Sequence, residues 1–206
     1  MKPCIALTKG RLEKQFLEYF QSLNFDIEPL INKGRKLRVE TDDFQFVFAK
    51  GVDVTTYVEN GIADLGVVGG DILAEFQPDV YNLLPLPFGQ CRMAVAMEAG
   101  KDWPDRKRKI ASKFTNITKD YFRQKGESVE IFKLEGSVEL APILGLADGI
   151  VDIVETGTTL KENGLVVTDE FFEFSARLIA NRSSLKIKRD VLAPTIQAFQ
   201  KGEPVS

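Results

Sequence analysis

The stretch GIVDIVETGTTLKENG, residues 149–164, changes character in its middle. It begins as a short apolar run that carries one carboxylate, Asp152, and it ends in sequence typical of a helix. Between them lie Glu155 and the tight sequence TGTT, residues 156–159. A buried strand that leads through such a turn into a helix is the basic unit of an α/β fold, and ligands of such folds bind beyond the carboxyl ends of the strands.

The sequence on both sides of this stretch alternates between strand and helix patterns in the same way. We therefore predict an α/β fold with mostly parallel or mixed sheets flanked by helices. A shift to charged, proline-containing sequence near residues 90–105 indicates passage into a second lobe. The predicted strands cover 4–7, 63–70, 80–88, 92–97, 109–114, 129–134, 149–155 and 176–186, with a hairpin over 36–50, and the predicted helices cover 11–24, 52–61, 71–76, 117–126, 137–148 and 189–202.

The composition narrows the classes of protein to which this chain can belong. No apolar run approaches the ~20 residues that cross a bilayer, and MKPCIALTKG lacks the pattern of a secretory signal, so we expect a cytoplasmic protein. A formal net charge of −3 argues against general nucleic-acid binding. Cys4 and Cys91 lie in strand-like sequence without metal-binding spacing, and we expect buried, reduced thiols.

The chain of 206 residues contains no histidine. This excludes histidine triads, imidazole general bases and the common zinc sites. Catalysis must therefore use carboxylates, lysines, arginines, hydroxyls, backbone amides or a cation held by oxygen atoms, such as Mg²⁺.

The loop ETGTT, residues 155–159, has the composition of a phosphate-binding loop. Gly157 would allow the backbone to approach a ligand, and Thr156, Thr158 and Thr159 offer hydroxyl donors beside the first amides of a helix. Asp152 and Glu155 could face ribose hydroxyls or a hydrated Mg²⁺ ion. A plain threonine cap with a solvated Glu155 remains an alternative interpretation.

Two earlier segments are further candidates for ligand contacts. The sequences TKGR (8–11) and NKGRKLR (32–38) place Lys9, Arg11 and Arg35 near strand ends, where arginines suit a pyrophosphate, although solvated surface charge is the alternative. The sequence ADLGVVGGD, residues 63–71, combines Asp64 with three glycines and could lie against a base or phosphate, or form a packing turn.

The stretch ELAPILGLADGIVDIVETGTTL, residues 139–160, resembles the signature of the ATP phosphoribosyltransferase family, which catalyses the first step of histidine biosynthesis. The segments LTKGRL, GRKLR, GIADLGVVGGDIL, CRMAVA and ARLIANRSSLK resemble family segments in family order. The resemblance implies transfer of the phosphoribosyl group of phosphoribosyl pyrophosphate (PRPP) to ring nitrogen 1 of ATP. A phosphoribosyltransferase acting on a nucleobase and a non-catalytic solute-binding protein are the alternatives.

The resemblance also implies an architecture and partners. It implies a fold like that of type II periplasmic binding proteins, with an active site in the cleft between lobe I (1–90 plus 178–206) and lobe II (91–177). The chain resembles the short form of the family, so we expect a separate regulatory subunit related to histidyl-tRNA synthetase, a homodimer of catalytic chains and a hetero-octamer.

The resemblance finally implies a role for each candidate residue. Arg11, Arg35 and Lys9 would be catalytic and stabilise the departing pyrophosphate. Asp152, Glu155, Thr156, Gly157, Thr158 and Thr159 would bind PRPP, and Asp64, Leu65, Gly66, Gly69 and Glu139 would bind the nucleotide. Mg²⁺ would arrive with the substrate phosphates, without direct ligation by a protein side chain.

Overall fold

The computed structural model describes residues 2–202. The chain divides into two compact units: the first ends at Gly89 and resumes at Ser175, and the second is Gln90–Phe174. The sequence predicts the corresponding boundaries between the two lobes after residue 90 and after residue 177. Within residues 2–202, no helix is long and apolar enough to cross a membrane.

Strands and helices alternate through most of the described chain. Within residues 2–202 the strands are β1 (Cys4–Thr8), β2 (Arg38–Glu40), β3 (Gln45–Ala49), β4 (Leu65–Gly69), β5 (Tyr81–Pro85), β6 (Cys91–Glu98), β7 (Arg108–Ser112), β8 (Val129–Lys133), β9 (Gly149–Val154), β10 (Leu165–Phe174) and β11 (Ala176–Ala180). The helices are α1 (Arg11–Ser22), α2 (Glu28–Ile31), α3 (Gly51–Glu59), α4 (Gly70–Phe76), α5 (Thr115–Gln124), α6 (Leu140–Ile143), α7 (Thr158–Glu162), α8 (Arg182–Ile187) and α9 (Arg189–Lys201).

The first unit is built on a mixed sheet with strand order β2-β3-β1-β4-β11-β5. β1 pairs in parallel with β3 and β4, whereas β2, β5 and β11 run antiparallel to their neighbours. Because β1, β3 and β4 are parallel, α1, α3 and α4 all begin at the same edge of the sheet. This edge contains the sequence Lys9-Gly10-Arg11.

Apolar residues cover both faces of this first sheet. On one face, Phe16 and Phe20 of α1 stack at a centroid distance of 5.1 Å, and Phe199 of α9 lies 6.0 Å from Phe16. On the other face, Val54 and Val58 of α3 are fully buried in a separate apolar cluster. Burial on both faces explains why the central strands read as continuous apolar runs rather than as alternating ones.

The second unit is built on a sheet with strand order β10-β6-β9-β7-β8. β7 pairs in parallel with β8 and β9, whereas β6 runs antiparallel to both β9 and β10. The carboxyl ends of β9 and β10 therefore lie at the same edge of the sheet as the amino end of β6. Each of the two sheets is mixed and flanked by helices, as the sequence predicts.

Three segments differ from their predictions. The helix predicted over 137–148 is the single turn α6. Pro142 has no amide hydrogen to donate to the carbonyl of residue 138, so the helix does not begin at residue 137, and the left-handed φ of 73° at Gly145 ends it. The strand predicted over 176–186 stops at Ala180, since the side chain of Asn181 accepts hydrogen bonds from the amides of Ser183 and Ser184 and starts α8. The ten-residue strand β10 was absent from the sequence prediction.

Candidate active site

The loop after β9 is built around one glycine. Gly157 has φ 77° and ψ 1°, in the left-handed region, and directly precedes the short helix α7. The hydroxyls of Thr156 and Thr158 lie 3.0 Å apart, and the amide of Thr158 points to Thr156 Oγ1 at 3.4 Å. The left-handed turn thus brings the two hydroxyls together on one side of the loop, as a ligand with several acceptor oxygens requires.

This loop forms most of the wall of a cavity of about 370 Å³. Glu139, which directly precedes α6, and residues 152–160 line the cavity. The six residues predicted to bind PRPP therefore lie around one space: Asp152, Glu155, Thr156, Gly157, Thr158 and Thr159. Glu139, which was predicted to bind the nucleotide, lines the same space. The lining is mainly polar, which suits a sugar phosphate rather than an apolar ligand.

The charges around this cavity are negative. Asp152 is half-buried on β9 and accepts a hydrogen bond from the amide of Ile153 at 2.8 Å, whereas Glu155 is exposed. The described residues that line the cavity include Glu139, Asp152 and Glu155 but neither lysine nor arginine. Carboxylates can accept hydrogen bonds from ribose hydroxyls, and they attract rather than repel a cation carried on a phosphate.

The arrangement also indicates how Mg²⁺ could be held. Within residues 2–202, no group of three aspartate, glutamate or cysteine side chains is close enough to form a protein cage for a metal ion. Mg²⁺ keeps several water ligands and is commonly bound through one or two carboxylates together with substrate phosphates. Asp152 and Glu155 could accept hydrogen bonds from the water ligands of such an ion without ligating it directly.

A second cavity adjoins the first in the same unit. Its volume is about 280 Å³, and it is lined by residues 90–92, 154–156, 173 and 174. Val154, Glu155 and Thr156 belong to both cavities. A ligand in one cavity would therefore lie directly beside a ligand in the other.

In the first unit, the predicted catalytic residues lie at the edge where the parallel strands end. Lys9 is exposed, and its amide donates to the carbonyl of Ala49 at 2.9 Å. Gly10 has φ 96°, and Arg11 follows it as the exposed first residue of α1. Arg35 is exposed in the turn that follows α2.

Two neighbouring basic residues form side-chain contacts within the first unit. Lys33 forms an ion pair with Glu13 at 3.1 Å and lies 4.5 Å from the ring centre of Phe48. Arg38 donates to the side chain of Gln45 at 3.2 Å. Lys33 therefore packs within its own unit and was not part of the predicted site.

Asp64 lies at the opposite end of the first sheet, before β4. It is 2% exposed, and its carboxylate accepts hydrogen bonds from Ser184 Oγ at 2.6 Å, Lys188 Nζ at 2.8 Å and the amide of Cys4 at 2.9 Å. Burial would raise the pKa of Asp64, but the hydrogen bonds from Lys188 and Ser184 outweigh burial and hold the pKa below its usual range. This geometry gives Asp64 a packing role, and we do not retain its predicted contact with the nucleotide.

Leu65 and Gly66 are also buried inside the first unit. Leu65 is fully buried, and a Cβ atom on Gly66 would lie 2.7 Å from Val58 Cγ2. The glycine therefore allows α3 to pack closely on β4, and neither residue reaches a ligand surface. Gly69 lies at the carboxyl end of β4, where a Cβ atom would collide with the carboxylate of Asp71. Of the four nucleotide-binding candidates in this segment, only Gly69 lies at the edge expected for ligands.

The thiols and the second cavity contain features that the sequence did not reveal. Cys4 and Cys91 are half-buried rather than fully buried, and they form no disulfide.

The second cavity is lined by four residues that the sequence did not single out: Gln90, Arg92, Glu173 and Phe174. Only the pairing of β6 with β10, which single-strand patterns do not reveal, brings these residues together.

Comparisons with known proteins agree on one family. Residues 50–201 match the family model HisG, described as ATP phosphoribosyltransferase. The chain is 50% identical over 200 residues to an ATP phosphoribosyltransferase of Bacillus cereus (strain ATCC 10987), with 96% of this chain and 95% of that protein covered.

One solved structure agrees with this family, and another shares the fold. The ATP phosphoribosyl transferase (HisG:HisZ) complex from Thermotoga maritima contains a similar chain, with a TM-score of 0.83, 36% identity, and 97% of this chain and 98% of that chain covered. A Candida albicans protein with the generic periplasmic binding protein fold matches with a TM-score of 0.62 at 13% identity, covering 98% of this chain and 70% of that one. The second likeness concerns the fold alone and confirms the predicted fold class.

Proposed function

The chain belongs to the ATP phosphoribosyltransferase family, and from that premise we propose that the cavity after β9 holds the phosphoribosyl group during the reaction. The enzyme transfers this group from PRPP to ring nitrogen 1 of ATP, giving phosphoribosyl-ATP and pyrophosphate in the first step of histidine biosynthesis. The observation that carries the assignment is the mainly polar cavity lined by Glu139 and residues 152–160.

The chemistry of the loop suits the end of PRPP that stays attached to the ribose. The hydroxyls of Thr156 and Thr158, 3.0 Å apart, can donate to the oxygens of the 5′-phosphate. Gly157 lets the backbone approach that phosphate, and Asp152 and Glu155 can accept hydrogen bonds from the ribose hydroxyls. The phosphoribosyl group would thereby be held with its anomeric carbon accessible.

The reaction needs charge stabilisation more than it needs a strong base. A bond forms between adenine nitrogen 1 and the anomeric carbon while the bond from that carbon to pyrophosphate breaks. The nitrogen already carries a lone pair, so no proton has to be removed before attack, which fits a chain without histidine. We assign stabilisation of the departing pyrophosphate to Arg11, Arg35 and Lys9, because arginine forks match phosphate oxygens.

Mg²⁺ belongs to this proposal as a cation bound to the substrate phosphates. It would neutralise part of the charge that develops on pyrophosphate. Asp152 and Glu155 are the protein carboxylates suited to accept hydrogen bonds from its water ligands.

We further propose a cytoplasmic enzyme that works with a separate regulatory subunit. The Thermotoga maritima relative was solved as a HisG:HisZ complex, and the match covers 97% of this chain and 98% of that one. A histidyl-tRNA-synthetase-like subunit and a catalytic dimer within a hetero-octamer would be the corresponding assembly.

A direct assay tests the proposed function. The pure chain is incubated with ATP, PRPP and Mg²⁺, and the ultraviolet absorbance is followed, with a reaction that lacks PRPP as the control. We expect a new absorbing adduct whose mass equals ATP plus the phosphoribosyl group. A product formed with guanine or hypoxanthine but not with ATP would contradict the proposal and favour a nucleobase phosphoribosyltransferase.

A further inference from the structure

Lys33 lies in the same exposed segment as Arg35, but its own side chain contacts the body of the first unit. Residues 31–38 are exposed except for Lys33, whose side chain is 16% exposed. Its Nζ lies 3.1 Å from Glu13 Oε1 and 4.5 Å from the ring centre of Phe48. The side chain of Lys33 therefore ties this segment to the rest of the unit.

Both partners of Lys33 are held by regular secondary structure. Glu13 is the third residue of α1, two positions after Arg11, and its side chain is 15% exposed. Phe48 is 2% exposed on β3, which pairs in parallel with β1. An ion pair with so little exposure is screened less by water and salt than a solvated pair, so it holds its two side chains more firmly. Lys33 thus connects the exposed segment to α1 and to the central sheet.

A tight turn carries this connection from Lys33 to Arg35. The amide of Lys36 donates to the carbonyl of Lys33 at 3.1 Å, which closes a turn of four residues, 33–36. Gly34 has φ 58°, in the left-handed region that glycine adopts without strain. Arg35 follows this glycine inside the closed turn. The position of the Arg35 backbone therefore depends on that of Lys33.

We propose that Lys33 is a positioning residue for the reaction. Its pair with Glu13 holds the turn of Arg35 beside the first turn of α1, which begins with Arg11, so that both guanidinium groups face the same departing pyrophosphate. Charge stabilisation of this kind requires donors that are in place before the charge develops. The inference rests on the proposed function, because it takes Arg11 and Arg35 as the residues that bind pyrophosphate.

Steady-state kinetics of three variants test the positioning role. Lys33→Met and Glu13→Gln break the pair from either side and nearly conserve side-chain size. Each should lower kcat about tenfold and change the KM for ATP by less than about threefold, because a displaced donor loses part of the effect of a well-placed one. Lys33→Arg should keep kcat within about threefold of the wild-type value, since a guanidinium can pair with Glu13 and lie over the ring of Phe48.

Lys2→Met is the matched control. It removes an ion pair of the same chemical kind, between Lys2 Nζ and Glu40 Oε1 at 3.2 Å, and it does so before the amino end of β1, away from the edge that contains Lys9 and Arg11. This variant should leave kcat unchanged. Unchanged kcat in both Lys33→Met and Glu13→Gln would overturn the proposal.

A double-mutant cycle separates positioning from a general structural effect. In the Arg35→Ala protein, Lys33→Met should lower kcat by less than about a further twofold, because the group that Lys33 positions is already absent. A further loss equal to that in the wild-type background would mean that Lys33 acts independently of Arg35, by contacting pyrophosphate itself or by supporting the unit in general. That result would overturn the proposal.

The two levels of the proposal fail differently. Wild-type protein that forms no adduct from ATP and PRPP would contradict the proposed function itself. Wild-type protein that forms the adduct, together with a Lys33→Met variant of unchanged kcat, would leave the function intact and refute only the positioning role.

Discussion

Gly157 is the residue whose conformation most clearly determines the shape of the candidate site. Its φ of 77° is accessible to glycine without strain but costs a residue with a Cβ atom about 1–2 kcal/mol. The sequence predicts this turn because a glycine stands among three threonines directly after an apolar strand. The position of the loop around a cavity with Glu139 could not be predicted, because it depends on the packing of α6 beside β9.

Substitution of Gly157 should therefore affect one substrate more than the other. We expect Gly157→Val to raise the KM for PRPP at least tenfold and the KM for ATP by less than threefold, measured by steady-state kinetics. Gly126→Val is the matched control, because Gly126 has φ 71° and open space around it at the end of α5. Equal increases in both KM values would count against the loop assignment.

Arg11 and Arg35, the exposed arginines assigned to the departing pyrophosphate, should contribute to kcat. We expect Arg11→Ala and Arg35→Ala each to lower kcat by roughly 100-fold, since loss of one well-placed donor to a developing anion typically has an effect of this size. Arg38→Ala serves as the control, because the Arg38 side chain donates a hydrogen bond to the side chain of Gln45 within its own unit. Unchanged turnover in both test variants would remove these residues from the catalytic assignment.

The role of Asp64 depends on partners that are distant in the sequence. An aspartate before a glycine-rich strand reads equally well as a ligand contact or as a packing group. The decisive partners, Ser184 and Lys188, lie more than 100 positions later in the chain. No local sequence pattern indicates these partners, so the sequence alone does not decide whether Asp64 contacts a ligand or packs inside the unit.

Among the helices and strands, the predictions agree with the structure where short-range sequence features determine the element. The hairpin of β2 and β3, the helices α1, α3 and α9, and the strand β9 follow from apolar periodicity and from glycines at helix ends. The predicted helix over 137–148 was wrong because Pro142 and Gly145 limit it to one turn. β10 was missed because its exposed positions carry apolar and charged residues alike, which weakens the alternation expected of an edge strand.

The junction between α8 and α9 is tied to the first sheet by the Asp64–Lys188 pair. Removal of the lysine leaves a buried carboxylate without its cation, so Lys188→Met should lower the free energy of unfolding by about 2–3 kcal/mol, a value reduced from that of fully buried pairs because Lys188 is partly exposed. Urea denaturation measures the change. Lys186→Met, an exposed position on α8, is the control and should shift stability by less than about 0.5 kcal/mol.

The Asp64–Lys188 pair should also make the destabilisation caused by Lys188→Met depend on pH. The pKa of Asp64 is lowered in the folded protein, so its stabilising contribution is present above the unfolded value of ~3.9 and is lost as the pH falls through the folded pKa. The difference between wild type and Lys188→Met should therefore shrink on acidification below about pH 4. A difference that grows on acidification, or a changed KM for ATP in this variant, would contradict a purely structural role.

At the scale of the whole molecule, the sequence predicts two lobes because a charged, proline-containing segment interrupts the α/β alternation. The compact units, Gln90–Phe174 and the remainder, show that the chain passes between units twice. The second passage was expected at residue 177 and occurs after Phe174, since the unforeseen strand β10 extends to that residue.

The proposed partner gives a prediction at this same scale. The catalytic chain alone should form phosphoribosyl-ATP without inhibition by histidine, and the addition of a regulatory subunit of the HisZ type should confer inhibition. Activity assays with and without that subunit, combined with light scattering to detect the complex, provide the measurement. Strong inhibition of the isolated chain by low histidine would contradict the division of roles.

The most direct test of the central assignment is a crystal structure of the full chain with PRPP bound. We expect the oxygens of the 5′-phosphate within hydrogen-bonding distance, ~2.6–3.2 Å, of the hydroxyls of Thr156 and Thr158, and the ribose facing Asp152 and Glu155. A 5′-phosphate bound away from residues 155–159 would contradict the assignment.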